Sequence, residues 1–272
     1  MKSIAVVSLV NEYSRREHID HLFHEHHLDF SYFDAINKSQ VADILAKYNL
    51  SVTNAQLSAG EVACYLSHYC LWQQVVEQQQ PYLMVFEDDI YFSKSADAVL
   101  NNLDWLPSNF DVIKLETMYE EVILSKSVNV VLMHGVYQMQ SSHMGTAGYI
   151  ISQIGAKKLM MMTQEFGIER PVDHIMFEKF IEQKNSKVYQ VNPALCIQDK
   201  VYNPDFSKFG SELEDERKVR ERQPIIKKKL SIAGKLNREL IRLWRQLHIA
   251  ERYRTLSLML KGYKNQRVDY HE

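Results

Sequence analysis

The sequence predicts an α/β domain, and two observations lead to this fold class. Short apolar runs typical of buried strands alternate with helix-like segments through the first 200 residues. The 272 residues are 46% hydrophobic and 24% charged, which excludes disordered, collagen-like and low-complexity chains. The length suits one large domain with an appendage or two small domains, since domains average about 150 residues.

Apolar patterning predicts the first strand and the first helix. Residues 4–10 form a continuous β-rich run of the kind that is buried on both faces of a sheet, and polar residues end it. Residues 14–27 predict a helix that places Ile19, Leu22 and Phe23 on one face.

A capping box predicts where the next helix begins. Ser58 is followed three residues later by Glu61, so each side chain can bond to the backbone amide of the other residue. The helix that follows carries an apolar stripe that we expect to pack in the core: Val62, Leu66, Tyr69, Trp72 and Val76.

The remaining elements of the domain follow from apolar runs and helix-start signals. Residues 81–86, 111–115 and 149–151 predict further strands. Ser152 is placed to cap a helix, and Pro171 suits the first position of another.

Charge divides the chain near residue 216. The net charge is −2, but the residues from Arg217 onward hold 16 Lys and Arg against five Asp and Glu. The body is therefore −13 and the tail +11. We predict a domain over residues 1–216 and a basic tail over 217–272 that meets an anionic surface.

Cysteine usage and apolar windows indicate the cellular compartment. Cys64, Cys70 and Cys196 fit neither a disulfide framework nor a zinc motif, so we expect reduced thiols in a cytosolic protein. The N terminus lacks a signal-peptide pattern, and no window reaches the roughly 18 uncharged residues of a transmembrane helix. The sequence thus predicts a soluble or peripheral protein.

Three consecutive carboxylates follow the apolar run 81–86. Glu87, Asp88 and Asp89 repel one another unless a cation or hydrogen-bond donors offset their charge. Ligands bind at the carboxyl ends of strands in open α/β sheets, and Mg²⁺ or Mn²⁺ prefer oxygen ligands. We interpret the triplet as a divalent-metal site for a phosphorylated ligand, with a solvated acidic turn as the alternative.

Four sequence blocks resemble a known family. The segment Leu57–Trp72 closely resembles the signature of the family 25 glycosyltransferases, which include bacterial lipooligosaccharide galactosyl- and glucosyltransferases and relatives that modify collagen hydroxylysine. The segments 85–90, 145–152 and 171–173 resemble later blocks of that family in the same order. The resemblance implies a GT-A fold, a donor that is usually a UDP-sugar, and inversion at the anomeric carbon.

The same resemblance implies a metal site and its ligands. Asp89 is the residue expected to contact Mn²⁺ or Mg²⁺, while Glu87 and Asp88 are expected to bind the ribose or the donor sugar. Some relatives carry a histidine near the end of the domain that completes the metal shell. Residues 196–199 contain none here, so Gln198 and Asp199 are the candidates to replace it.

An inverting transfer needs a carboxylate that accepts the proton of the acceptor hydroxyl. Asp173, in the block that begins at Pro171, is our candidate. Its position near a helix start is also favoured by free amides and the helix dipole alone. Asp111 and Glu116 flank a predicted strand and remain alternatives.

Further residues are candidates for donor binding. Arg15 and Arg16, just after the first strand, resemble basic residues of the family and could face the diphosphate. Glu61 and His68 lie in the family's first block, where a structural role is the alternative for both. The loop that starts at Gly145 adds three candidates whose backbone could approach the sugar closely: Gly145, Thr146 and Gly148.

The tail predicts a basic amphipathic helix. Between residues 225 and 247, apolar residues recur at helical spacing and Lys and Arg fill most of the other face. We expect it to bind the anionic surface of the inner membrane. Docking on the catalytic domain or on a second copy, as a homodimer, is the alternative. No nucleic-acid-binding motif is present, so nucleic acid is not expected as a partner.

The sequence therefore predicts a metal-dependent, inverting glycosyltransferase at the cytoplasmic face of the inner membrane. It would move galactose or glucose from a UDP-sugar to the lipid-linked oligosaccharide of lipopolysaccharide or lipooligosaccharide. A metal-dependent nucleotidyltransferase or phosphohydrolase, and a non-catalytic scaffold with the same fold, are the alternatives.

Overall fold

A computed structural model describes residues 4–210 and 256–272 of the chain. Within these two ranges, nine strands form a large mixed sheet in the order β2-β1-β3-β9-β5-β10-β8-β7-β12, and β4, β11 and β6 form a small sheet. The strands are β1 (Ile4–Ser8), β2 (Ser31–Asp34), β3 (Tyr82–Glu87), β4 (Ile90–Phe92), β5 (Val112–Lys114), β6 (Glu116–Thr117), β7 (Glu121–Val131), β8 (His134–Met139), β9 (Gly148–Ser152), β10 (Val188–Asn192), β11 (Cys196–Gln198) and β12 (Lys264–Arg267).

Helices connect these strands, as an α/β fold requires. They are α1 (Tyr13–Glu25), α2 (Val41–Tyr48), α3 (Ala59–Glu77), α4 (Ala96–Asn101), α5 (Gln153–Phe166), α6 (Val172–His174) and α7 (Asp199–Tyr202). A 3₁₀ turn spans Lys38–Gln40, and a π-helical turn, Ile175–Lys179, continues α6. The predicted α/β class is confirmed, and residues 256–260 are also helical.

Register brings the ends of β1 and β3 together. The two strands are parallel, and Val7 of β1 is opposite Glu87 of β3. The loop from β1 into α1 and the turn after β3 therefore lie at the same edge of the sheet, where ligands bind in open α/β folds. Strand β9 runs antiparallel between β3 and β5 and brings its preceding loop to this edge as well.

Two hydrophobic clusters cover opposite faces of the large sheet, and β3 contributes to both. Leu83 and Val85 pack in the cluster that includes α3 and α5, whereas Met84 and Phe86 pack in the cluster with α1 and α4. Because side chains alternate along a strand, Glu87 falls on the α3 side.

The helix starts test the predicted caps. Ser58 caps α3, and its side chain and that of Glu61 form the predicted capping box. Ser152 caps α5 as predicted. Pro171, expected as the first helical residue, instead precedes α6. Its backbone is extended, with ψ at 152°, so helical geometry begins at Val172.

The C-terminal residues belong to the large sheet. Strand β12 pairs antiparallel with β7, Val268 is fully buried, and the Tyr270 hydroxyl donates to the Phe92 carbonyl at 2.8 Å. The end of the predicted 217–272 tail thus packs within the domain. The boundary at residue 216 and the amphipathic helix at 225–247 lie outside the described residues. Within residues 4–210 and 256–272, no helix is long and apolar enough to cross a membrane.

Candidate active site

The acidic triplet forms the turn that joins the two sheets. Glu87 ends β3, and Asp88 and Asp89 lead directly into β4. Asp88 and Asp89 are only 7% and 8% exposed. The Asp199 amide donates to the Asp89 carbonyl at 2.7 Å, which fixes the turn against α7. The triplet is therefore a buried, anchored turn and not a solvated one.

Of the two arginines, the structure brings only Arg15 to this acidic turn. Its Nη1 donates to Asp88 Oδ1 at 2.7 Å and lies 3.7 Å from Asp89 Oδ2. Arg16 instead donates to Asp34 at 2.7 Å and to the Ser8 carbonyl at 3.0 Å. Arg16 therefore ties α1 to the ends of β1 and β2.

Of the two candidates on the far side of the turn, Gln198 and Asp199, only Gln198 contacts the acidic side chains. The Gln198 side-chain amide donates to Glu87 Oε2 at 3.1 Å and to Asp89 Oδ1 at 3.3 Å, so one group touches both carboxylates. The Asp199 carboxylate accepts hydrogen bonds from the Ser207 hydroxyl at 2.7 Å and the Phe209 amide at 3.1 Å. Its side chain organises the loop after α7, and only its backbone amide contacts Asp89.

The crowding of carboxylates perturbs their proton affinity. Burial raises the pKa of Asp89 to about 6, and the charges of Glu87 and Asp88 add to this while Arg15 opposes it. Burial also disfavours the charged form of Glu87, but His68 and Thr146 stabilise its carboxylate, and its pKa falls below its ordinary value. Close carboxylate oxygens with one balancing arginine fit a hard divalent cation such as Mn²⁺ or Mg²⁺.

His68 of α3 lies behind Glu87. The ring is fully buried, and its Nδ1 is 2.8 Å from the Tyr149 hydroxyl, which also accepts the Trp72 indole N–H at 3.3 Å. The other ring nitrogen, Nε2, is 3.7 Å from Glu87 Oε1, too far for a hydrogen bond. Glu61, by contrast, accepts the Ser58 amide at 2.9 Å and closes the start of α3.

The loop before β9 contacts Glu87 from the other side. Thr146 Oγ1 donates to Glu87 Oε1 at 2.7 Å. Gly145 has φ of +92°, and a Cβ there would lie 2.7 Å from a Glu116 oxygen; a Cβ on Gly148 would lie 2.3 Å from Cys196 Sγ. Packing against Glu116 and Cys196 thus requires both glycines, independently of any bound sugar.

A buried ion pair between Lys114 and Glu116 lies beneath this loop. Lys114 is not among the site residues predicted from the sequence. Its Nζ donates to Glu116 Oε1 at 2.7 Å and to the Gly145 carbonyl at 2.5 Å, and it lies 4.2 Å from the centre of the Phe177 ring. Both charged side chains are fully buried. The sequence held a signal for this pair, because a Lys and a Glu two residues apart in an extended apolar stretch can point to the same side.

Glu116 and Asp173, the two candidate bases, lie on either side of Gly145. Burial raises the pKa of Glu116 to about 7, although Lys114 opposes the shift. Asp173 is partly exposed, and its Oδ2 accepts the Gly145 amide at 3.3 Å while Oδ1 accepts the His174 amide at 2.9 Å. Asp173 is therefore more accessible to solvent than the fully buried Glu116. Asp111, the third alternative, pairs with Lys158 at 2.7 Å and accepts the Lys187 amide.

Comparisons with known proteins identify the family. The chain matches the sequence model of glycosyltransferase family 25 (LPS biosynthesis protein) over residues 1–176. A lipooligosaccharide biosynthesis protein of Haemophilus influenzae is 30% identical over 90% of this chain and 96% of its own length. A lacto-N-neotetraose biosynthesis glycosyltransferase of Neisseria meningitidis serogroup B is 35% identical over 80% of this chain and 82% of its own.

Solved structures also resemble this chain. A glycosyltransferase involved in the glycosylation of the major capsid of PBCV-1 is 10% identical, with a TM-score of 0.41, over 81% of this chain and 98% of that one. The sequence match is the stronger result, because it covers well over half of the chain and includes the acidic turn, the loop at Gly145 and Asp173. The chain belongs to glycosyltransferase family 25.

Proposed function

We propose that this glycosyltransferase moves galactose or glucose from a UDP-hexose to the oligosaccharide of lipopolysaccharide or lipooligosaccharide, with a divalent metal and with inversion. The observation that carries the proposal is the buried acidic turn, where Arg15 and Gln198 converge on three carboxylates. The names of the two relatives, which concern lipooligosaccharide and lacto-N-neotetraose biosynthesis, support this class of acceptor. A GT-A fold is part of the same proposal.

Asp89 and Gln198 are the residues proposed to hold Mn²⁺ or Mg²⁺. A bound cation would neutralise the diphosphate and stabilise the charge that develops as UDP leaves. Glu87 and Asp88 bind the ribose or the donor sugar. Arg15 already lies between Asp88 and Asp89, where its planar guanidinium can also bind phosphate oxygens.

Asp173 is the proposed base. The acceptor oxygen attacks the anomeric carbon, the bond from that carbon to the diphosphate breaks, and the hydroxyl proton passes to the Asp173 carboxylate. A single displacement of this kind inverts the anomeric centre. The Gly145 amide holds Asp173 beside Thr146, whose hydroxyl binds Glu87. The base and the donor-binding carboxylate are thus joined through one short loop.

The experiment combines UDP-hexoses, Mn²⁺ and truncated oligosaccharide acceptors, and follows UDP release and glycan extension. We expect UDP only when the acceptor is present, and loss of activity on adding a chelator or in Asp89→Asn. Asp43→Asn, at an exposed site on α2, is the matched control and should keep full activity. Equal turnover of the nucleotide without acceptor would instead indicate a nucleotidyltransferase or phosphohydrolase, and activity unchanged by chelator would refute the metal role.

We also propose that the basic tail attaches the enzyme to the cytoplasmic face of the inner membrane, and this rests on sequence. Each basic residue near an anionic bilayer contributes about 1 kcal/mol. Replacing Lys227, Lys228 and Lys229 with Gln should therefore weaken binding to anionic vesicles about 100-fold in a cosedimentation assay. Unchanged vesicle binding, or a dimer that dissociates in this variant, would favour packing of the tail on protein.

A further inference from the structure

A second group of metal-ligating side chains lies behind the acidic turn. Cys64 and His68 are one turn apart on α3, and both face the side of β3 that carries Glu87. One ligand atom from each of the three lies within 4.8 Å of the other two. The cysteine spacing in the sequence gave no zinc motif, because two ligands come from a helix and the third from a strand.

An unsatisfied nitrogen in His68 points to a ligand here. The side chain is fully buried, and Nε2 has no hydrogen-bond partner among the residues that the structure describes. Leaving a buried polar atom unpaired costs about 1–3 kcal/mol. Nε2 lies 3.7 Å from Glu87 Oε1, a gap too long for a hydrogen bond but close to the separation of two ligands on one metal ion.

The surroundings of His68 fit those of a metal-bound histidine. Such histidines bond through their second nitrogen to a fixed partner, which sets the ring orientation. His68 Nδ1 lies 2.8 Å from the Tyr149 hydroxyl, and Trp72 holds that hydroxyl from the other side. Without a metal, a proton on Nε2 faces the Glu87 carboxylate and stabilises it. When the proton is on Nδ1 instead and is donated to Tyr149, the Nε2 lone pair faces Cys64 and Glu87 and is available to a cation.

The ligand atoms of Cys64, His68 and Glu87 favour a different cation from the one that the acidic turn favours. A thiolate, an imidazole and one carboxylate suit Zn²⁺, which takes three protein ligands and a water in its open sites, whereas Mg²⁺ and Mn²⁺ prefer oxygen. Zinc ligands lie about 2.0–2.3 Å from the metal, so neighbouring ligand atoms are separated by about 3.3–3.7 Å. His68 and Glu87 already have this spacing, and the partly exposed Cys64, whose sulfur lies within 4.8 Å of both other ligand atoms, needs to move closer by at most about 1 Å.

Zinc at this position would take Glu87 from the donor site. Glu87 Oε1, the atom nearest His68, is also the atom that accepts the Thr146 hydroxyl. We propose that Cys64, His68 and Glu87 form a zinc site whose occupation draws Glu87 from Thr146 and inhibits the transferase. The inhibition rests on the proposed function, whereas the binding of zinc does not.

Binding is tested without activity by titrating the chelator-treated protein with Co²⁺, which replaces Zn²⁺ and absorbs in the near ultraviolet when a thiolate is bound. We expect one equivalent of thiolate-bound Co²⁺ in the wild type and in Cys70→Ser, a matched change on the same helix, and none in Cys64→Ser. Zn²⁺ should displace the Co²⁺ and abolish the absorption. Absence of this absorption in the wild type, or its persistence in Cys64→Ser, would overturn the site.

Inhibition is tested by titrating Zn²⁺ into the Mn²⁺-supported reaction. Cys64→Ser should keep the turnover measured without zinc and raise the half-inhibitory Zn²⁺ concentration at least about tenfold, since loss of a supporting group alone costs 10–100-fold in metal affinity. Equal inhibition of both proteins would place zinc at the acidic turn and refute the proposal. If Co²⁺ binds through Cys64 but no sugar transfer occurs with any donor, the zinc site stands and the proposed function fails.

Discussion

Replacing Glu116 by Gln tests whether this buried residue acts on the fold or on the reaction. The change keeps a hydrogen-bond acceptor for Lys114 and for the Ala147 amide, which now lie 2.7 and 2.8 Å from Oε1, but it removes the negative charge. The buried Lys114 ammonium would then have only uncharged partners, namely the new amide oxygen, the Gly145 carbonyl and the Phe177 ring. Removing one partner of a buried ion pair costs about 3–5 kcal/mol, and we expect the lower end because the amide remains an acceptor.

The double variant Lys114→Met/Glu116→Gln isolates the stranded charge. Methionine fills a similar volume without an ammonium, and replacing both members of a buried pair by uncharged groups is often close to neutral. We expect the double variant to be more stable than Glu116→Gln by at least about 1 kcal/mol. Urea unfolding, followed by tryptophan fluorescence and far-ultraviolet circular dichroism, measures both differences.

Activity of the same proteins separates the two roles. If Glu116 acts by supporting the loop at Gly145, folded Glu116→Gln retains turnover at low temperature, while Asp173→Asn loses turnover with little change in stability. A Glu116→Gln protein that is as stable as the wild type but inactive would refute this reasoning and identify Glu116 as the base. A double variant that is less stable than Glu116→Gln would refute the ion-pair argument.

Four further predictions concern the loop, the pH response and the C terminus. Gly145→Ala should destabilise the protein by about 2–3 kcal/mol and raise the donor KM, because the φ of +92° and the contact with a buried carboxylate exclude a Cβ. The control is Gly210→Ala, since a Cβ at Gly210 would have no atom within 4 Å, and equal effects of the two changes would contradict the argument. Burial lowers the pKa of His143 from 6.5 to about 3, so the unfolded chain binds this proton at a higher pH than the folded chain does. The unfolding free energy should therefore fall by about 1.4 kcal/mol per pH unit between 6.5 and 3, and urea titrations at several pH values should show that His143→Gln lacks this component. Because the pKa of Asp89 is about 6, a proton competes with the cation below that pH, and the Mn²⁺ concentration for half-maximal activity should rise about tenfold per pH unit. If that concentration stays constant from pH 7 to 5, Asp89 is not a metal ligand. A chain ending at residue 262 should lose at least about 3 kcal/mol of unfolding free energy, because it lacks the buried side chains of Val268 and Tyr270. An unchanged urea midpoint would show that β12 adds nothing to stability.

Local patterns in the sequence predicted much of the fold. The capping box at Ser58 and Glu61 and the cap at Ser152 form as predicted, because each depends on residues within one helical turn. The apolar run at 81–86 became β3, displaced by one residue, with the acids at its end. Pro171 differed by one position, since its fixed φ suits both the first helical residue and the one before it.

Within the site, the sequence predicted which residues are present better than it predicted which of them contact one another. The family resemblance predicted that Arg15 and Arg16 share a role, but the structure turns Arg15 to the acidic turn and Arg16 to Asp34. Gln198 and Asp199 were equivalent candidates, yet successive residues at a strand end point in different directions, and only Gln198 contacts the carboxylates.

By itself, the sequence determined the α/β class, the main strands and helices, the acidic triplet at the end of a strand, and the family. These depend on hydrophobic period, caps and short motifs, which are local properties of the chain. Only the tertiary structure decided that β12 joins the sheet, that Lys114 pairs with Glu116 beneath Gly145, and that Cys64, His68 and Glu87 converge. The physical reason is that strand register and helix packing bring together residues distant in the chain, and their burial then sets the charge and proton affinity of each group.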